Sequence, residues 1–334
     1  MISKKPVKLT IVVAIYNIAA ELPDLLKQIE KLKNSTALEF FLIDDESTDG
    51  SEQIISGFIK YHSPTNVSVI RRKNGGLSAV RNQGITLSKG EYIWFIDGDD
   101  VIDPIFVAQL IDILEDEQPD FIQFYYSRFK NFKEINFMES QRKIQNYEYL
   151  NSNQWFSKLT NSNEKQFENY AWAHVVRRSL YTENNIIFPV GRSYEDVATT
   201  YKLANVSDNI LSIKEVGYFY RNRPGSITNN YTEKNCRGLL ESISEFSKQK
   251  SLSFSKKDQY TFIHRYLVGA YYIANNISKG ENKVLKNQIR KQLLANRFFS
   301  LQTSNKIEYL LFQFRMYDLY RSVKNMIKKG THNE

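Results

Sequence analysis

The stretch EYIWFIDGDDVIDP, residues 91–104, joins an apolar segment to four aspartates. Its first half, YIWFI, is a short run of β-branched and aromatic residues, which predicts a buried strand. Asp97, Asp99, Asp100 and Asp103 follow at the carboxyl end of that strand. Like charges this close repel one another, and the repulsion grows where water is excluded. A structural turn needs only one Asp-Gly pair, so the additional carboxylates indicate a binding or catalytic function.

Strands and helices alternate in the segments that precede this stretch. The predicted strands are LTIVVAIYN, EFFLID, VSVIRR and EYIWFID, and the predicted helices are AELPDLLKQIEKLKN, EQIISGFIKYH and the second part of NGGLSAVRNQGITLSKG. This order predicts an α/β domain with a mostly parallel sheet and helices on both faces. In such sheets ligands bind beyond the carboxyl ends of the strands. Polar residues follow each predicted strand there, at residues 16–17, 44–45, 71–76 and 97–100.

The composition is typical of a soluble globular protein, with 334 residues of which 42% are hydrophobic and 25% charged. This length allows one large or two modest domains. The single cysteine, Cys236, excludes an internal disulfide and predicts a reducing, cytoplasmic setting. No apolar run reaches the roughly 18 residues of a membrane span. We interpret the basic, then apolar start MISKKPVKLTIVVAIYN as a first strand and not as a signal peptide.

The net charge of +8 is concentrated in the last third of the chain. Residues 231–334 contain 19 Lys and Arg against 8 Asp and Glu, whereas residues 1–230 contain 26 against 29. The segment 306–330 places seven apolar residues near one helical face: Ile307, Leu310, Leu311, Phe314, Val323, Met326 and Ile327. Such a basic amphipathic helix indicates either contact with an anionic membrane surface or packing on the rest of the protein. Nucleic acid is not expected, because no nucleic-acid-binding motif accompanies the charge.

The four aspartates do not share one role. Asp103 precedes a proline, which is typical of a helix N-cap with proline in the first turn. Asp97, Asp99 and Asp100 suit a divalent cation, because Mg²⁺ is usually held by one or two carboxylates together with substrate phosphates. An EF-hand is excluded, since apolar residues follow where its loop needs Asx and Gly. The context also resembles haloacid-dehalogenase-type phosphohydrolases with Asp97 as nucleophile, although three βα units precede it here.

Five segments, in this order, resemble the family 2 glycosyltransferases with the GT-A fold: LTIVVAIYN, FFLIDDESTDGS, KNGGLSAVRNQGITLSKGEYIWFIDGDD, YEDVATTYKLA and FYRNRPGSIT. The resemblance implies a GT-A nucleotide-diphospho-sugar transferase fold, which is α/β and Rossmann-like, followed by a helical C-terminal region. We expect the catalytic domain at residues 1–230, with a nucleotide-binding half at 1–103 and an acceptor-binding half at 104–230. The basic helical region would then occupy residues 231–334.

The resemblance also implies a nucleotide-sugar site at the strand ends. Its predicted members are Tyr16 and Asn17 beside the base and ribose, Asp45 with Asp44 accepting a hydrogen bond from the base, and Asn74, Gly75, Gly76 and Arg81 beneath the donor. Asp97 and Gly98 would contact the donor. Asp99 would bind the Mn²⁺ or Mg²⁺ that bridges the diphosphate, with Asp100 supporting it.

The later segments imply the remaining roles. Asp196 would be the general base that deprotonates the acceptor hydroxyl, with Glu195 positioning it. Further phosphate contacts would come from FYRNRPGSIT, through Arg221, Arg223 and Ser226. Trp172 and His174 stand where the family usually has W-x-K and would contact donor or acceptor, or else lie in the core. Two departures from the family pattern are Ala14, where proline is frequent, and Glu46, where glycine is frequent.

The sequence therefore predicts an inverting, metal-dependent glycosyltransferase that uses a nucleotide-sugar, with a UDP-sugar as the expected donor. The expected acceptor is a glycan or a lipid-linked molecule of bacterial surface polysaccharide synthesis, reached in the cytoplasm or at the inner face of the membrane. Two alternatives stay open at this point. One is the phosphohydrolase, and the other is a non-catalytic glycan-binding protein built on the same fold.

Overall fold

The structure is a computed structural model that describes residues 6–137, 143–223, 231–277, 282–295, 301 and 303–322. Within these ranges nine strands form one sheet: β1 Leu9–Ile15, β2 Leu38–Asp44, β3 Val67–Arg71, β4 Tyr92–Asp97, β5 Val101–Ile102, β6 Phe121–Phe129, β7 Tyr147–Leu150, β8 His174–Arg177 and β9 Ile210–Arg221. The α-helices are α1 Leu22–Glu30, α2 Ser51–His62, α3 Leu77–Leu87, α4 Pro104–Asp116, α5 Ser152–Thr160, α6 Arg178–Glu183, α7 Glu195–Asn205, α8 Glu233–Ser247, α9 Lys256–Asn276, α10 Asn282–Ala295 and α11 Thr303–Gln313.

The first four strands form the parallel part of the sheet, in the order β3-β2-β1-β4. Both faces of β1 are covered, which is why it is almost continuously apolar. Ile11 and Val13 belong to one buried cluster with α1, whereas Val12 belongs to a second cluster on the opposite face. On that face α3 approaches so closely that a Cβ on Gly84 would lie 2.6 Å from a methyl group of Val12.

The register of the parallel strands places their carboxyl ends at one edge. Ile15 of β1 lies opposite Asp44 of β2, and Ala14 of β1 lies opposite Asp97 of β4. Side chains that follow these strands must therefore lie near one another. This edge carries most of the residues that the sequence places in a nucleotide-sugar site.

The second half of the sheet is mixed. β8 pairs in antiparallel fashion with both β4 and β6, whereas β6 and β9 form a long parallel ladder. β9 also pairs in antiparallel fashion with the short strands β5 and β7. The antiparallel ladders are short, so the sheet is parallel over most of its length. The predicted α/β class with a mostly parallel central sheet is confirmed.

The helices α8 to α11 form the predicted helical C-terminal region and pack on the α/β part. Phe246 of α8 and Phe262 of α9 lie with ring centroids 5.8 Å and 5.2 Å from that of Phe156 in α5. Tyr201 of α7 makes an edge contact with Phe246 at 4.9 Å. These aromatic contacts continue the core from the sheet into the C-terminal helices.

The single amphipathic helix predicted for residues 306–330 is interrupted. Arg315 has a left-handed φ of 57°, and the chain becomes helical again at Tyr317. Ile307 and Phe314 are exposed, whereas Phe312 and Tyr317 are buried, so the predicted apolar stripe is not the buried face. Three of its predicted members lie outside the described residues: Val323, Met326 and Ile327. No helix in the described ranges is both long enough and apolar enough to cross a membrane.

Candidate active site

The loops after β1 and β2 are joined by hydrogen bonds. Thr48 N donates to Asn17 Oδ1 at 2.8 Å, and Asn17 N donates to Ser47 Oγ at 3.0 Å. Asn17 has a φ of 50°, in the left-handed region that asparagine tolerates better than most residues. Tyr16 beside it is 52% exposed. The two residues predicted to contact base and ribose thus lie on a fixed loop that leaves the tyrosine ring open to solvent.

Asp44 and Asp45 are both buried. Ser47 N donates to Asp44 Oδ1 at 3.0 Å, which fixes the turn after β2. Asp45 Oδ2 accepts hydrogen bonds from Gly75 N at 3.2 Å and Gly76 N at 2.7 Å. Asp45 therefore holds the loop before α3 against β2. Asp45 Oδ1 also accepts from Gly75 N at 3.0 Å and lies 3.4 Å from Arg72 Nε, so both carboxylate oxygens have partners in this loop.

The backbone conformation of Glu46 accounts for the glycine that is frequent at this position. It has a left-handed φ of 68°, which glycine adopts without strain. Its carboxylate accepts a hydrogen bond from Asn74 N at 3.0 Å, and Asn74 Nδ2 donates to the Asp45 carbonyl at 3.0 Å. The side chain that replaces glycine thus ties the turn after β2 to the loop that leads into α3.

The aspartates after β4 occupy a tightly packed turn. Gly98 N donates to the Ala14 carbonyl at 2.9 Å. A Cβ on Gly98 would lie 2.8 Å from that carbonyl oxygen and 2.6 Å from Ile18 Cδ1, so a side chain does not fit here. Asp103 caps α4, because its Oδ1 accepts from Ile105 N at 2.8 Å. The N-cap predicted from sequence is confirmed.

Asp99 and Asp100 have basic or hydroxyl partners on and after β9. Tyr218 Oη donates to Asp100 Oδ2 at 2.5 Å, and Arg221 N donates to Asp100 Oδ1 at 2.7 Å. Arg223 Nε donates to Asp99 Oδ2 at 2.6 Å. β9 therefore supplies the groups that offset the crowded negative charge of this turn.

Arg221 and Arg223 differ in their availability to a ligand. Arg221 is buried; its Nε donates to the Asp99 carbonyl at 2.7 Å and its Nη2 to Asp24 Oδ2 at 2.7 Å. The Arg223 side chain is 28% exposed. The guanidinium of Arg221 thus orders the turn, and that of Arg223 is the more accessible to a diphosphate. Ser226, the third predicted phosphate contact, lies outside the described residues.

The acidic turn has unusual protonation behaviour. The pKa of Asp97 is raised to about 6, chiefly by burial; Arg81 opposes the rise and the neighbouring Asp99 adds to it. Burial also raises the pKa of Asp100 well above its ordinary value, with added contributions from Asp99 and Asp97. The cause in both cases is negative charge held out of water, as the sequence predicts.

Arg81 links the acidic turn to a second acidic pair nearly a hundred residues later. Its side chain is only 3% exposed; Nη2 lies 3.2 Å from Asp97 Oδ1 and Nη1 lies 2.6 Å from Glu195 Oε1. Burial lowers the pKa of Arg81, but the charges of Glu195, Asp97 and Asp196 outweigh this and raise it overall. One guanidinium, projecting from α3, therefore holds β4 and the start of α7 together.

Asp196 lies in the first turn of α7 and is half-buried. Its Oδ1 accepts from the neighbouring Val197 N at 2.8 Å. The pKa of Asp196 is raised to about 8, chiefly by burial and also by Glu195, while Arg81 opposes the rise. A carboxyl with such a pKa exchanges its proton near neutral pH, which suits a general base.

Helix α8 supports the turn that presents Asp196. Tyr194 has a left-handed φ of 58°, a strained conformation for a bulky residue. Ser242 Oγ lies 3.4 Å from the Tyr194 carbonyl oxygen, and Ser193 Oγ bonds Asn235 Oδ1 at 2.8 Å. A Cβ on Gly238 would lie 2.8 Å from the Ser193 carbonyl oxygen, which shows how closely α8 approaches. The C-terminal region therefore contributes to the site through its packing.

Trp172 and His174 lie in the core, which corrects the expectation that they contact a ligand. His174 is 2% exposed, bonds Gln123 Oε1 at 2.8 Å, and has a pKa lowered by burial to about 3. Trp172 is 4% exposed and stacks on Tyr218 at 4.6 Å. Trp172 acts behind the site, because Tyr218 is the residue that donates to Asp100.

Sequence reasoning overlooked three contributors to the site: Tyr218, Asp24 and the Arg81–Glu195 ion pair. Asp24 in α1 and Tyr218 in β9 are far in sequence from the aspartates that they support. The only signal was indirect, since three crowded carboxylates require partners and YFYRNR, at the end of β9, offers hydroxyl and basic groups. Their identification needed the three-dimensional arrangement.

Within the described residues, no group of three or more His, Cys, Asp or Glu side chains is arranged to hold a metal. Asp99 is a single carboxylate with its side chain 20% exposed and an arginine already bound to it. This donor set fits Mg²⁺ or Mn²⁺ in the mode in which substrate phosphates complete the coordination. It does not fit a metal held by protein ligands alone.

These features define a GT-A-type α/β domain whose polar site lies at the carboxyl ends of its parallel strands. The sequence profile of glycosyl transferase family 2 matches residues 10–183, which is more than half of the chain. The chain therefore belongs to glycosyl transferase family 2, and the resemblance inferred from its motifs is confirmed. The match favours this resemblance over the one to phosphohydrolases.

Similar proteins agree with this assignment. The glycosyltransferase GlyA of Streptococcus pneumoniae serotype 4 is 28% identical over 254 residues, which cover 71% of this chain and 34% of GlyA. The chain thus spans about a third of GlyA, and less than two thirds of the next two curated relatives that it matches.

Two solved structures share the fold. S. aureus TarS 1–349 in complex with UDP-GlcNAc has a TM-score of 0.71 at 18% identity, with 97% of this chain and 92% of that chain covered. The mannosyltransferase PcManGT from Pyrobaculum calidifontis, in complex with GDP-Man and Mn²⁺, has a TM-score of 0.54 at 15% identity, with 98% and 90% covered. At these identities the likeness concerns the fold.

Proposed function

We propose that this chain is an inverting, metal-dependent glycosyltransferase that transfers a sugar from a UDP-sugar to a hydroxyl group. The observation that carries the proposal is the double ion pair of Arg81 with Asp97 and Glu195. It joins the acidic strand end, suited to a nucleotide-sugar, to the helix start that bears Asp196. A donor site and a base are both needed for sugar transfer, and one buried guanidinium connects them.

The donor would lie across the carboxyl ends of the parallel strands. Its base and ribose would contact Tyr16 and Asn17, with Asp45 as acceptor for a base N–H group. Gly75 and Gly76 would let the backbone approach the donor, and Asp97 with Gly98 would border its sugar and ribose. The complex of TarS with UDP-GlcNAc supports UDP-sugars as the donor class to test first.

Asp196 would accept the proton of the acceptor hydroxyl as the new bond forms at the anomeric carbon. A sugar hydroxyl is a weak nucleophile until its proton is taken up in the transition state. Glu195, held by Arg81 at 2.6 Å, would fix the start of α7 and so the position of Asp196. With the base on one side of the sugar and the diphosphate leaving from the other, a single displacement inverts the anomeric centre.

Asp99 would hold the Mn²⁺ or Mg²⁺, with Asp100 fixing the turn behind it. When bound, the metal neutralises charge that develops on the leaving diphosphate. Arg223 now pairs with Asp99 at 2.6 Å and would transfer its hydrogen bonds to phosphate oxygens when the donor arrives. The Mn²⁺ in the PcManGT complex supports this choice of metal.

The acceptor that we propose is a glycan or lipid-linked molecule of bacterial surface polysaccharide synthesis. The excess of Lys and Arg in residues 231–334 supports a partner or membrane surface with negative charge. Cys236 is free and buried, which agrees with a reducing, cytoplasmic setting. The reaction would then take place in the cytoplasm or at the inner face of the plasma membrane.

Nucleotide binding tests the proposal directly. The melting temperature should be measured with UDP, GDP, dTDP and CMP, each with and without Mn²⁺. A ligand that binds only the folded state raises this temperature by mass action, so UDP with Mn²⁺ should give the largest rise. If no nucleotide raises it, the proposal fails. A second check compares UDP-GlcNAc with a phosphate monoester such as p-nitrophenyl phosphate, each incubated with Mn²⁺. Release of UDP from UDP-GlcNAc would support a transferase, whereas release of inorganic phosphate from the monoester would indicate a phosphohydrolase.

A further inference from the structure

A cavity of about 270 Å³ opens in the C-terminal helical region, between α9, α10 and the chain from α11 onward. Its lining contains four basic side chains and one acidic one. The basic residues are Lys283, Lys286, Arg290 and Arg315, and the acidic residue is Asp318. The α10 members recur at helical spacing, so they lie along one side of that helix. The arrangement concentrates positive charge around a small, solvent-open cavity.

The one carboxylate does not balance this charge. Asp318 Oδ2 pairs with Lys286 at 3.1 Å and accepts from Tyr271 Oη at 3.1 Å. Arg290 donates to two carbonyl oxygens, those of Phe312 at 2.9 Å and Gln313 at 3.1 Å. Carbonyl groups carry no net charge, so Arg290 has no carboxylate at ion-pair distance among the residues that the structure describes.

Lys283 and Arg315 at the rim add to the excess. Within the described part of the chain, neither has a carboxylate at ion-pair distance, and both are exposed. Three basic groups that face a common volume without a counter-charge repel one another. An anion in the cavity would remove that repulsion, and a phosphate group offers the oxygens that such donors bind.

The floor of the cavity is aromatic. The rings of Phe312 and Tyr317 stack at 4.0 Å, and Tyr271 packs edge-on against Phe312 at 4.8 Å. Lys286 lies 5.0 Å from the centre of the Tyr271 ring. Lys286 is thus packed on an aromatic surface that is itself buried at Phe312 and Tyr317.

Exposed apolar side chains lie on the chain that follows α11, next in sequence to the cavity-lining residues Arg315 and Asp318. Phe314 is 67% exposed, Met316 is 50% exposed and Leu319 is 64% exposed. Phe314 and Met316 flank Arg315, so charge and apolar surface are presented together. Large apolar side chains grouped in this way mark an interaction surface. A soluble phosphate ester would leave them in water, whereas a bilayer interface would cover them.

We propose that this cavity binds the phosphate of an anionic phospholipid headgroup, while Phe314, Met316 and Leu319 enter the bilayer interface. The inference rests on the proposed contact with an anionic membrane surface and is independent of sugar transfer. Neither element suffices alone, because stable association with a membrane usually needs two signals. The cavity supplies the electrostatic contact, and Phe314, Met316 and Leu319 supply the apolar one. The enzyme would then be held where a lipid-linked acceptor is found.

The test uses the full chain and sedimentation with vesicles of phosphatidylglycerol and phosphatidylcholine in equal amounts. The double variant Lys283→Gln/Arg315→Gln removes two charges from the cavity rim. Each basic residue near an anionic surface is worth about 1 kcal/mol, so binding should weaken about 30-fold. The matched control Lys257→Gln/Lys291→Gln removes two exposed charges of α9 and α10 outside the cavity, and should lose much less affinity.

Two further measurements separate the role of the basic cavity from that of the exposed apolar residues. Glycerol 1-phosphate, followed by calorimetry, should bind the wild type and the Phe314→Ser/Leu319→Ser variant alike, whereas vesicles should bind that variant at least about tenfold more weakly. Equal vesicle binding by the cavity variant and its control would overturn the proposal. Binding of glycerol 1-phosphate without binding to vesicles would overturn the lipid assignment. UDP with Mn²⁺ should still stabilise every variant, which distinguishes this outcome from a failure of the transferase proposal.

Discussion

The turn after β4 and the first turn of α7 both carry neighbouring acidic side chains, but these acids have different partners in the two turns. In the β4 turn every side-chain carboxylate has a partner: Arg81 for Asp97, Arg223 for Asp99, and Tyr218 with the Arg221 backbone for Asp100. In α7, Glu195 takes the second arm of Arg81, and the described hydrogen bond to Asp196 comes from the backbone of Val197.

The difference separates carboxylates that bind from one that reacts. A basic or hydroxyl partner fixes the position of a carboxylate. A bound metal ion or a hydrogen-bond donor of the ligand can take the place of that partner. A base must instead be free to take up a proton, and an ion pair opposes the rise of its pKa, as Arg81 does for Asp97, whose pKa is about 6. Burial without such a pair raises the pKa of Asp196 to about 8. The two turns therefore suggest donor binding on one side and proton transfer on the other.

The strongest test of this division is Asp196→Asn. Asparagine keeps the size of the side chain but cannot accept the proton, and general-base catalysis typically contributes about 10²–10⁴-fold. The rate of sugar transfer should fall by roughly this factor, while the rise in melting temperature with UDP and Mn²⁺ is retained. Asp112→Asn, on the exposed side of α4, is the matched control and should transfer at the wild-type rate. Undiminished transfer by Asp196→Asn would show that another group is the base.

The pH dependence of transfer gives the next largest effect. The reactive form of Asp196 is the ionised one, and its pKa in the free protein is about 8. At low pH the carboxyl is protonated, so kcat/KM should rise with pH and level off above about 8. Each pH unit below the pKa costs about tenfold, which gives a value at pH 6 roughly one hundredth of the plateau. A profile that is flat between pH 6 and pH 9 would remove Asp196 from the role.

The binding side of the comparison is tested by Asp99→Asn and Arg223→Gln. In wild-type protein Mn²⁺ should tighten UDP binding, and Asp99→Asn should abolish this gain, about tenfold or more. Arg223→Gln removes the cation that competes for Asp99, so Mn²⁺ alone should bind a few-fold more tightly, in line with the ~1 kcal/mol of a partly exposed ion pair. Calorimetric titration with Mn²⁺ and then UDP measures both. An unchanged Mn²⁺ effect in Asp99→Asn would show that another group holds the metal.

The two turns also differ in how much the sequence revealed of them. The apolar run before Asp97 is local, and so are Gly98 and the N-cap at Asp103. The β-α-β-α order likewise follows from local patterns, because strand length and amphipathic spacing repeat within short windows. These parts of the fold and the position of the acidic turn were predictable from sequence.

The partners of the acids were not predictable, because they come from distant segments. Arg81 was expected beneath the donor, but its buried bridge between Asp97 and Glu195 was not expected. His174 was a candidate ligand contact, but β8 inserts it between β4 and β6, where burial keeps it neutral. The orientation of β8 depends on which strand ends pair, and this is a property of the whole sheet. The same reason applies to Tyr218, whose hydroxyl reaches Asp100 from the far end of the longest described strand.

The smallest expected effect concerns stability, and its sign separates Asp196 from Asp99. The pKa of Asp196 rises from an ordinary 3.8 to about 8 on folding, so between these values the folded chain holds a proton that the unfolded chain releases. Raising the pH through this window therefore lowers the free energy of unfolding. An asparagine at this position does not titrate and so loses no stability as the pH rises. At pH 8 the free energy of unfolding of Asp196→Asn should exceed that of wild type by at least about 1 kcal/mol, which raises the melting temperature by roughly 2 °C. The advantage should disappear near pH 4, where the unfolded chain also takes up the proton.

Thermal unfolding of wild type, Asp196→Asn and Asp112→Asn at pH 4, 6 and 8 measures this difference. Asp112→Asn should follow the wild type throughout, because that side chain is exposed on α4. Asp99→Asn should not gain stability at pH 8, since Asp99 already pairs with Arg223 and its loss leaves that arginine without a partner. If neutralising the acid makes the protein more stable but slower in sugar transfer, the acid serves the reaction at the expense of stability. If Asp196→Asn is instead the less stable protein at pH 8, Asp196 is a structural acid like those of the β4 turn.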